Sequence, residues 1–342
     1  MGAASVESKD VYDAIEMYFE KGWTDGLPVV PPRPEVVKQF IATVGRDPEE
    51  VLITLNETNM QCTVELAAVN AVMAGCKPEY FPVVLAAVEG LNDPRWGSTS
   101  VYLSTASTGG AGSMLIVNGP IRNELKMNSG VGLFGSGPAF RANATIGRAM
   151  RLIMLNALGM HPQVFDMSIM GHPGKYSYCI AEAEEESPWE PYHVERGFKP
   201  DESTVTILPG KGPVPVDERS SDFPEGILNA VATVMPHAFG TGVYAVVMGT
   251  EHAHIIAKSG WTKKMVKEYL FEKTRRPVPE SAPRRGNIRT VDGVDYRYLV
   301  RVPDDMALIV AGGGNGGLTA VVPTHVYNVP PGDLVTRKIN RV

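Results

Sequence analysis

Nine glycines fall within residues 97–137 and five within 312–317, so 14 of the chain's 35 glycines crowd into 47 of its 342 positions. Even spacing would put about five there. Glycine lacks a Cβ, so it marks places where backbone must approach a ligand or another backbone, or turn through a left-handed conformation. The first stretch contains runs at 100–107 and 114–117 that read as buried strands, and the second follows one at 307–310. The chain is therefore expected to be an α/β fold with tight turns at its strand ends.

The pattern along the chain divides it into four parts. Residues 1–50 form an N-terminal helical arm, with helices over 8–21 and from Pro34. A first α/β half covers 51–160, with strands at 51–55, 100–107 and 114–117. Thr63 caps its first helix, another helix begins at Pro78, and Arg141–Leu158 is the longest helical pattern. Residues 161–220 are Pro-rich and acidic and read as an irregular mid-chain excursion. A second α/β half covers 221–342, with strands at 243–248, 296–302, 307–310 and 318–322. At an offset of 130 residues, Leu115–Gly130 lies over Ala245–Gly260 with four of 16 positions identical. A degenerate internal duplication is one reading, and two strand–turn–helix units that look alike by physics alone is the other.

Composition closes several function classes. The net charge is −6, which argues against a dedicated nucleic-acid binder. No apolar run approaches the ~18 residues of a membrane helix. Cys62, Cys76 and Cys179 are odd in number and widely spaced, with no C-x-x-C pair, which suits a reducing, cytoplasmic setting. A Walker A loop is missing. Gly312–Gly317 lacks the following helix and acidic residue of a dinucleotide fingerprint.

Four groups of residues could carry chemistry. Strand-to-helix turns at 118–122, 135–141 and 249–252 could cradle an anion on backbone N–H groups, with Arg122 and Arg141 as clamps and Asn118 and Asn143 as orienters. Gly313 and Asn315 in the last glycine run could border the same ligand. The stretch 171–193 packs His172, Lys175, Cys179, Glu182, Glu190 and His193 together; it could supply acid–base groups, or be a solvated acidic loop. His252 and His254 open a helix, where the dipole would favour a neutral imidazole fit for a base or a ligand. Cys76 precedes the Pro78 helix, whose N-terminus would lower its thiol pKa; a buried inert thiol is the competing reading.

Several stretches carry a resemblance: Gly22-Trp-Thr-Asp-Gly-Leu-Pro-Val-Val-Pro-Pro, Asn70-Ala-Val-Met-Ala-Gly-Cys-Lys-Pro-Glu-Tyr, Ile116-Val-Asn-Gly-Pro-Ile-Arg, Arg141-Ala-Asn-Ala-Thr-Ile-Gly-Arg-Ala, His172-Pro-Gly-Lys-Tyr and Glu185-Glu-Ser-Pro-Trp-Glu-Pro. On these the chain resembles a largely uncharacterised bacterial family associated with proteins that carry a UGSC (selenocysteine or cysteine) motif. This chain has no such motif. The resemblance implies redox or bond-cleaving chemistry shared with a thiol or selenol partner protein. The family pattern has a proline before Glu-His-Ala, where this chain has Thr250.

The expected function is an enzyme, or enzyme subunit, acting on a small anionic organic substrate by redox chemistry or carbon–heteroatom bond cleavage. Cys76, His252, Glu182 and Lys175 are its candidate catalytic groups, with a homo-oligomer as the expected assembly and no cofactor identified. The alternatives are a metal-dependent hydrolase or lyase using His252, His254 and His193, and a non-catalytic partner subunit.

Overall fold

The computed structural model describes residues 7–96, 106–135, 137–238, 242–279, 281–283, 286–314, 316–324 and 330–342. The expected strand over 100–107 falls largely outside them.

The N-terminal arm holds helices α1 (Val11–Glu20) and α2 (Pro34–Ala42). Asp10 caps α1 by accepting from the Asp13 N–H at 2.9 Å, and Pro34 occupies the first turn of α2, where its missing N–H costs nothing. An antiparallel hairpin of β1 (Val51–Leu55) and β2 (Met60–Thr63) leads into α3 (Val64–Met73). Thr63 caps α3 through the Leu66 N–H at 3.2 Å. Gly75, at φ +87°, then turns the chain toward α4 (Phe81–Leu91), which is apolar all round and buried accordingly.

The first sheet begins with β3 (Gly112–Asn118), followed by the short helix α5 (Ile121–Glu124) and by α6 (Arg141–Leu152), which continues as a wider π turn over 153–157. The mid-chain stretch is largely turns and bends, yet it supplies β4 (Cys179–Ala181), a short helix α7 (Tyr192–Glu195), β5 (Thr204–Gly210) and β6 (Val214–Asp217). The second half contains α8 (Pro224–Ala238), β7 (Tyr244–Met248), α9 (Thr250–Lys258) and α10 (Lys263–Lys273). A small peripheral sheet follows, of β8 (Arg276–Pro277), β9 (Ile288–Val291) and β10 (Val294–Arg297). Of the expected core strand over 296–302, only Tyr296 and Arg297 form strand, in this outlying sheet, while Tyr298, Leu299 and Val300 enter the second core as a bend and not as a strand. The chain closes with β11 (Met306–Val310), β12 (Leu318–Pro323) and β13 (Thr336–Lys338).

Two four-stranded sheets organise the molecule, in the orders β13–β5–β3–β4 and β11–β7–β12–β6. In the first, β4 runs parallel to β3, and β5 and β13 alternate antiparallel. In the second, β11 runs parallel to β7, and β12 and β6 alternate antiparallel. The pattern of directions is the same. The fourth strands are exchanged: β6 follows β5 in sequence but pairs with β12, while β13 follows β12 but pairs with β5. The crossing point is marked by a Gly210–Thr324 bridge and by Lys211 N–H donating to Pro323 O at 2.8 Å. A duplication would leave this arrangement, and so would two similar βαβ units, each ending in a strand lent to the other.

Side-chain alternation decides which face of the second sheet meets which core. Ala245, Val247, Ala307 and Ile309 join the core shared with α3, α4 and α6. Tyr244, Val246, Met248, Met306, Leu308 and Val310 point into a second core under α8 and α10. No helix among the described residues is long and apolar enough to cross a membrane.

The extended arm is pinned to α6. Arg148 donates to both Asp25 carboxylate oxygens at 2.8 Å and to the Leu27 and Pro28 carbonyls. Burial of Asp25 opposes its ionisation, but the Arg148 hydrogen bonds and charge outweigh that, holding the carboxyl below its ordinary value of 3.8. A carboxyl depressed in the folded state adds stability that is present above that ordinary value and lost as pH falls through the folded one. Arg148→Met is therefore expected to lower stability by about 2 kcal/mol at neutral pH. Denaturant titrations should show the gap to the parent chain closing as pH falls below 3.8.

Candidate functional site

The glycine loop from Gly130 to Gly135 roofs a cavity of about 440 Å³. Its walls come from that loop (Leu133, Phe134, Gly135), from the first turn of α6 (Asn143, Ala144), from 172–180 and from Gly212–Pro213. Two of the stretches that carry the family resemblance thus meet here. Asn143 builds the junction. Its Oδ1 accepts from the Asn128 N–H at 2.7 Å, and its Nδ2 donates to the Asn128 carbonyl at 3.1 Å and to the Cys179 carbonyl at 3.3 Å. It is a positioning residue, tying loop, helix and strand together. Close packing needs Gly147, where an added Cβ would lie 2.4 Å from Ser177 Oγ and 2.6 Å from Tyr178 N.

Aromatic rings line the cavity, with Phe134 and His172 both edge-on to Tyr178 at centroid distances of 6.0 and 5.6 Å. His172 accepts from the Gly174 N–H on Nδ1, so its Nε2–H donates to the Gly210 carbonyl at 3.0 Å. Burial depresses its pKa, and the nearby charges of Lys175 and Lys211 act in the same direction, against the Gly210 hydrogen bond. The imidazole is a neutral, fixed wall. Among the described residues no acidic side chain lines this cavity. The first-turn N–H groups of α6, which has no side-chain cap, lie at its edge.

All three thiols are buried and free. Burial pushes Cys62 and Cys76 up to about 12, and Cys179 higher still. Cys76 therefore shows the opposite of the expected helix-terminus effect: its thiol enters the core, and desolvation outweighs the Thr145 hydrogen bond and the Arg141 charge. None of the three is a thiolate nucleophile at neutral pH.

The remaining expected site residues separate into different places. Asn118, Arg122 and Glu182 do come together, at the ends of β3 and β4, but face inward. Asn118 Nδ2 donates to Glu182 at 2.5 Å and Glu184 at 2.9 Å, while Arg122 binds the Glu182 carbonyl, Glu184 and Glu185. Arg122 is thus matched to carboxylates of its own chain and not open to a ligand's. Arg141 donates to the Gly75 carbonyl at 2.6 and 2.8 Å and tethers the end of α3. Lys175 binds Asp166 and Ser168, both at 2.6 Å. His252 is buried between Thr319 Oγ1 and the Glu218 carbonyl, with both ring nitrogens engaged. Gly312 donates to the Ser129 carbonyl at 2.7 Å and Gly313 packs on Val131, so the two glycine-rich stretches touch. Asn315 falls outside the described residues.

The metal reading finds no assembled ligand set. His193 is buried beside Glu184, His254 lies exposed against the Glu186 carbonyl, and Glu190 is exposed elsewhere. Among the described residues no group of three or more His, Cys, Asp or Glu could hold a metal ion.

Sequence reasoning passed over Phe134, Tyr178 and Lys211, and over Lys263 and Lys267. The last two left a signal: at i, i+4 they share the buried face of α10 with Val266 and Leu270, where lysine demands a partner. No protein-family model matches the chain, and no curated protein matches it. The site's chemistry therefore rests on its own geometry.

Proposed function

We propose that this chain is an enzyme, or the substrate-binding subunit of one, that takes a small anionic organic molecule into the cavity under the 130–135 loop. The observation that carries this reading is the cavity's lining: aromatic and apolar walls, no carboxylate among the described residues, the uncapped start of α6, and Lys211 within electrostatic reach of His172. That combination suits a compact apolar body with one negative end. The reaction would be redox or carbon–heteroatom bond cleavage. Its reactive thiol or selenol would come from a partner protein, since this chain's own thiols are buried and protonated. Free buried cysteines also suit a cytoplasmic setting.

Calorimetric titration with benzoate and its uncharged analogue benzamide tests the reading. Benzoate is expected to bind about tenfold more tightly, a difference of ~1.4 kcal/mol. Lys211→Met should reduce that preference severalfold, and Phe134→Ala should weaken both ligands without lowering the melting temperature appreciably. Equal affinity for the two probes would remove the anion assignment.

A further inference from the structure

A second, much smaller cavity of about 20 Å³ adjoins the first, and Gly174 lines both. One water-sized sphere needs roughly 10–15 Å³, so the space admits a water or a monatomic ion and not a carboxylate with its three heavy atoms. Its apolar wall is Ala111, Met154 and Met160. Met154 belongs to the π turn that ends α6, and such widened turns recur at functional sites. Gly112 closes another side against Gly174: a Cβ on Gly112 would lie 2.9 Å from the Gly174 carbonyl oxygen.

The charged wall is Arg151, Lys175 and Asp166. Lys175 Nζ donates to Asp166 Oδ2 at 2.6 Å, and Arg151 Nη1 lies 3.5 Å from that same oxygen. The Ser168 hydroxyl and N–H donate to the other carboxylate oxygen. Burial opposes ionisation of Asp166, but the Lys175 and Ser168 hydrogen bonds hold its carboxyl below the ordinary 3.8. One carboxylate thus faces two cations, and no other acidic side chain among the described residues lines the space. The excess is felt at Lys175: burial holds its pKa below the ordinary 10.5, and the Arg151 charge pushes the same way, against the Asp166 hydrogen bond. Arg151 carries the unmatched charge. Its side chain is only 17% exposed, yet among the described residues the 3.5 Å contact is its one ion pair and it donates no hydrogen bond. A largely buried guanidinium with five donors ordinarily finds acceptors. A water would satisfy a donor and leave the charge, whereas a small anion meets both needs.

We propose that this cavity is a halide site, holding chloride between the Arg151 guanidinium and the Lys175 ammonium and against the Met154 and Met160 thioethers. The site stands apart from the assignment of the cavity under the 130–135 loop and does not rest on it. Thermal melts of the full chain in sodium chloride, bromide, fluoride and acetate, balanced with gluconate to constant ionic strength, test it. Chloride and bromide should raise the melting temperature along a one-site saturation curve. Acetate is too large to enter and fluoride costs more to desolvate, so neither should do so. Arg151→Met should weaken chloride by about tenfold or more. Arg148→Met removes one charge from the same helix and should keep the chloride response, although it lowers stability. In crystals grown with bromide, an anomalous peak between Arg151 and Lys175 is expected, a readout that needs no variant to fold. Stabilisation by acetate or fluoride equal to that by chloride, a chloride response unchanged in Arg151→Met, or no bromide peak in this cavity overturns the proposal.

Discussion

A chain ending at Gly332 is expected to lose the cooperative fold of its first half, although the ten residues removed lie at the far end of the sequence. They include β13, the edge strand of the first sheet, whose Thr336, Arg337 and Lys338 pair with Thr206, Val205 and Thr204 of β5. They also include Leu334 and Val335, fully buried, and Ile339, nearly so. The Ile207 N–H would lose the Val335 carbonyl, and Thr206 would lose the Thr336 hydroxyl at 2.8 Å inside the core. Burying three such side chains is worth about 6 kcal/mol at ~2 kcal/mol each. Whole domains are stable by only about 5–15 kcal/mol. Thermal melts should shift down by more than ten degrees or lose their sigmoidal shape, and amide exchange in β5 should accelerate far more than in α10. Addition of a peptide spanning 330–342 should restore part of the transition. A truncated chain that melts with the parent would show that the strand exchange contributes little to stability.

That exchange was out of reach of sequence reasoning for a physical reason. Propensity, capping and periodicity are local, and they located α2, α3 with its Thr63 cap, β7, β11 and β12 correctly. Strand pairing is decided by contacts more than a hundred residues apart, such as Arg337 with Val205. The 161–220 stretch looked irregular because its turns and prolines dominate any local window, while the seven fully buried residues of β5 are recognised only once β3 and β13 flank them. The same limit governed the candidate site. The glycine crowding did point to the loop that roofs the first cavity, because the need for a missing Cβ is a local property. Charge state is not local. The helix-terminus rule favoured a reactive Cys76, and burial reverses it. The same rule left His252 open as a base, and Thr319 and the Glu218 carbonyl close it. Arg122 looked like a free clamp until Glu184 and Glu185 arrived from sixty residues away.

The sharpest case is Glu182, expected as an acid–base group and found fully buried where the two halves meet. One oxygen accepts from Asn118 Nδ2 at 2.5 Å and from the Tyr192 N–H at 2.7 Å. The other lies 3.5 Å from Lys263 Nζ and 3.4 Å from the Val310 N–H. Lys263 belongs to α10 of the second half and also reaches Glu195 at 3.5 Å, so the carboxylate joins β3, β4, α7, β11 and α10 at one point. Removing one partner of a buried pair leaves the other charge uncompensated, at about 3–5 kcal/mol. Glu182→Ala is expected to destabilise by about 4 kcal/mol on that basis, measured by urea unfolding. Lys263→Met alone should also destabilise, since it strands Glu182. The double variant Glu182→Gln with Lys263→Met should cost less than Glu182→Gln and Lys263→Met measured singly and added, by roughly 1–3 kcal/mol, because it removes both charges together. An acid–base catalyst would behave differently: Glu182→Gln would abolish turnover while leaving unfolding nearly unchanged, and the two substitutions would add. A strictly additive cycle would therefore return Glu182 to the list of reacting groups, whereas strong coupling identifies it as the ionic pin between the halves.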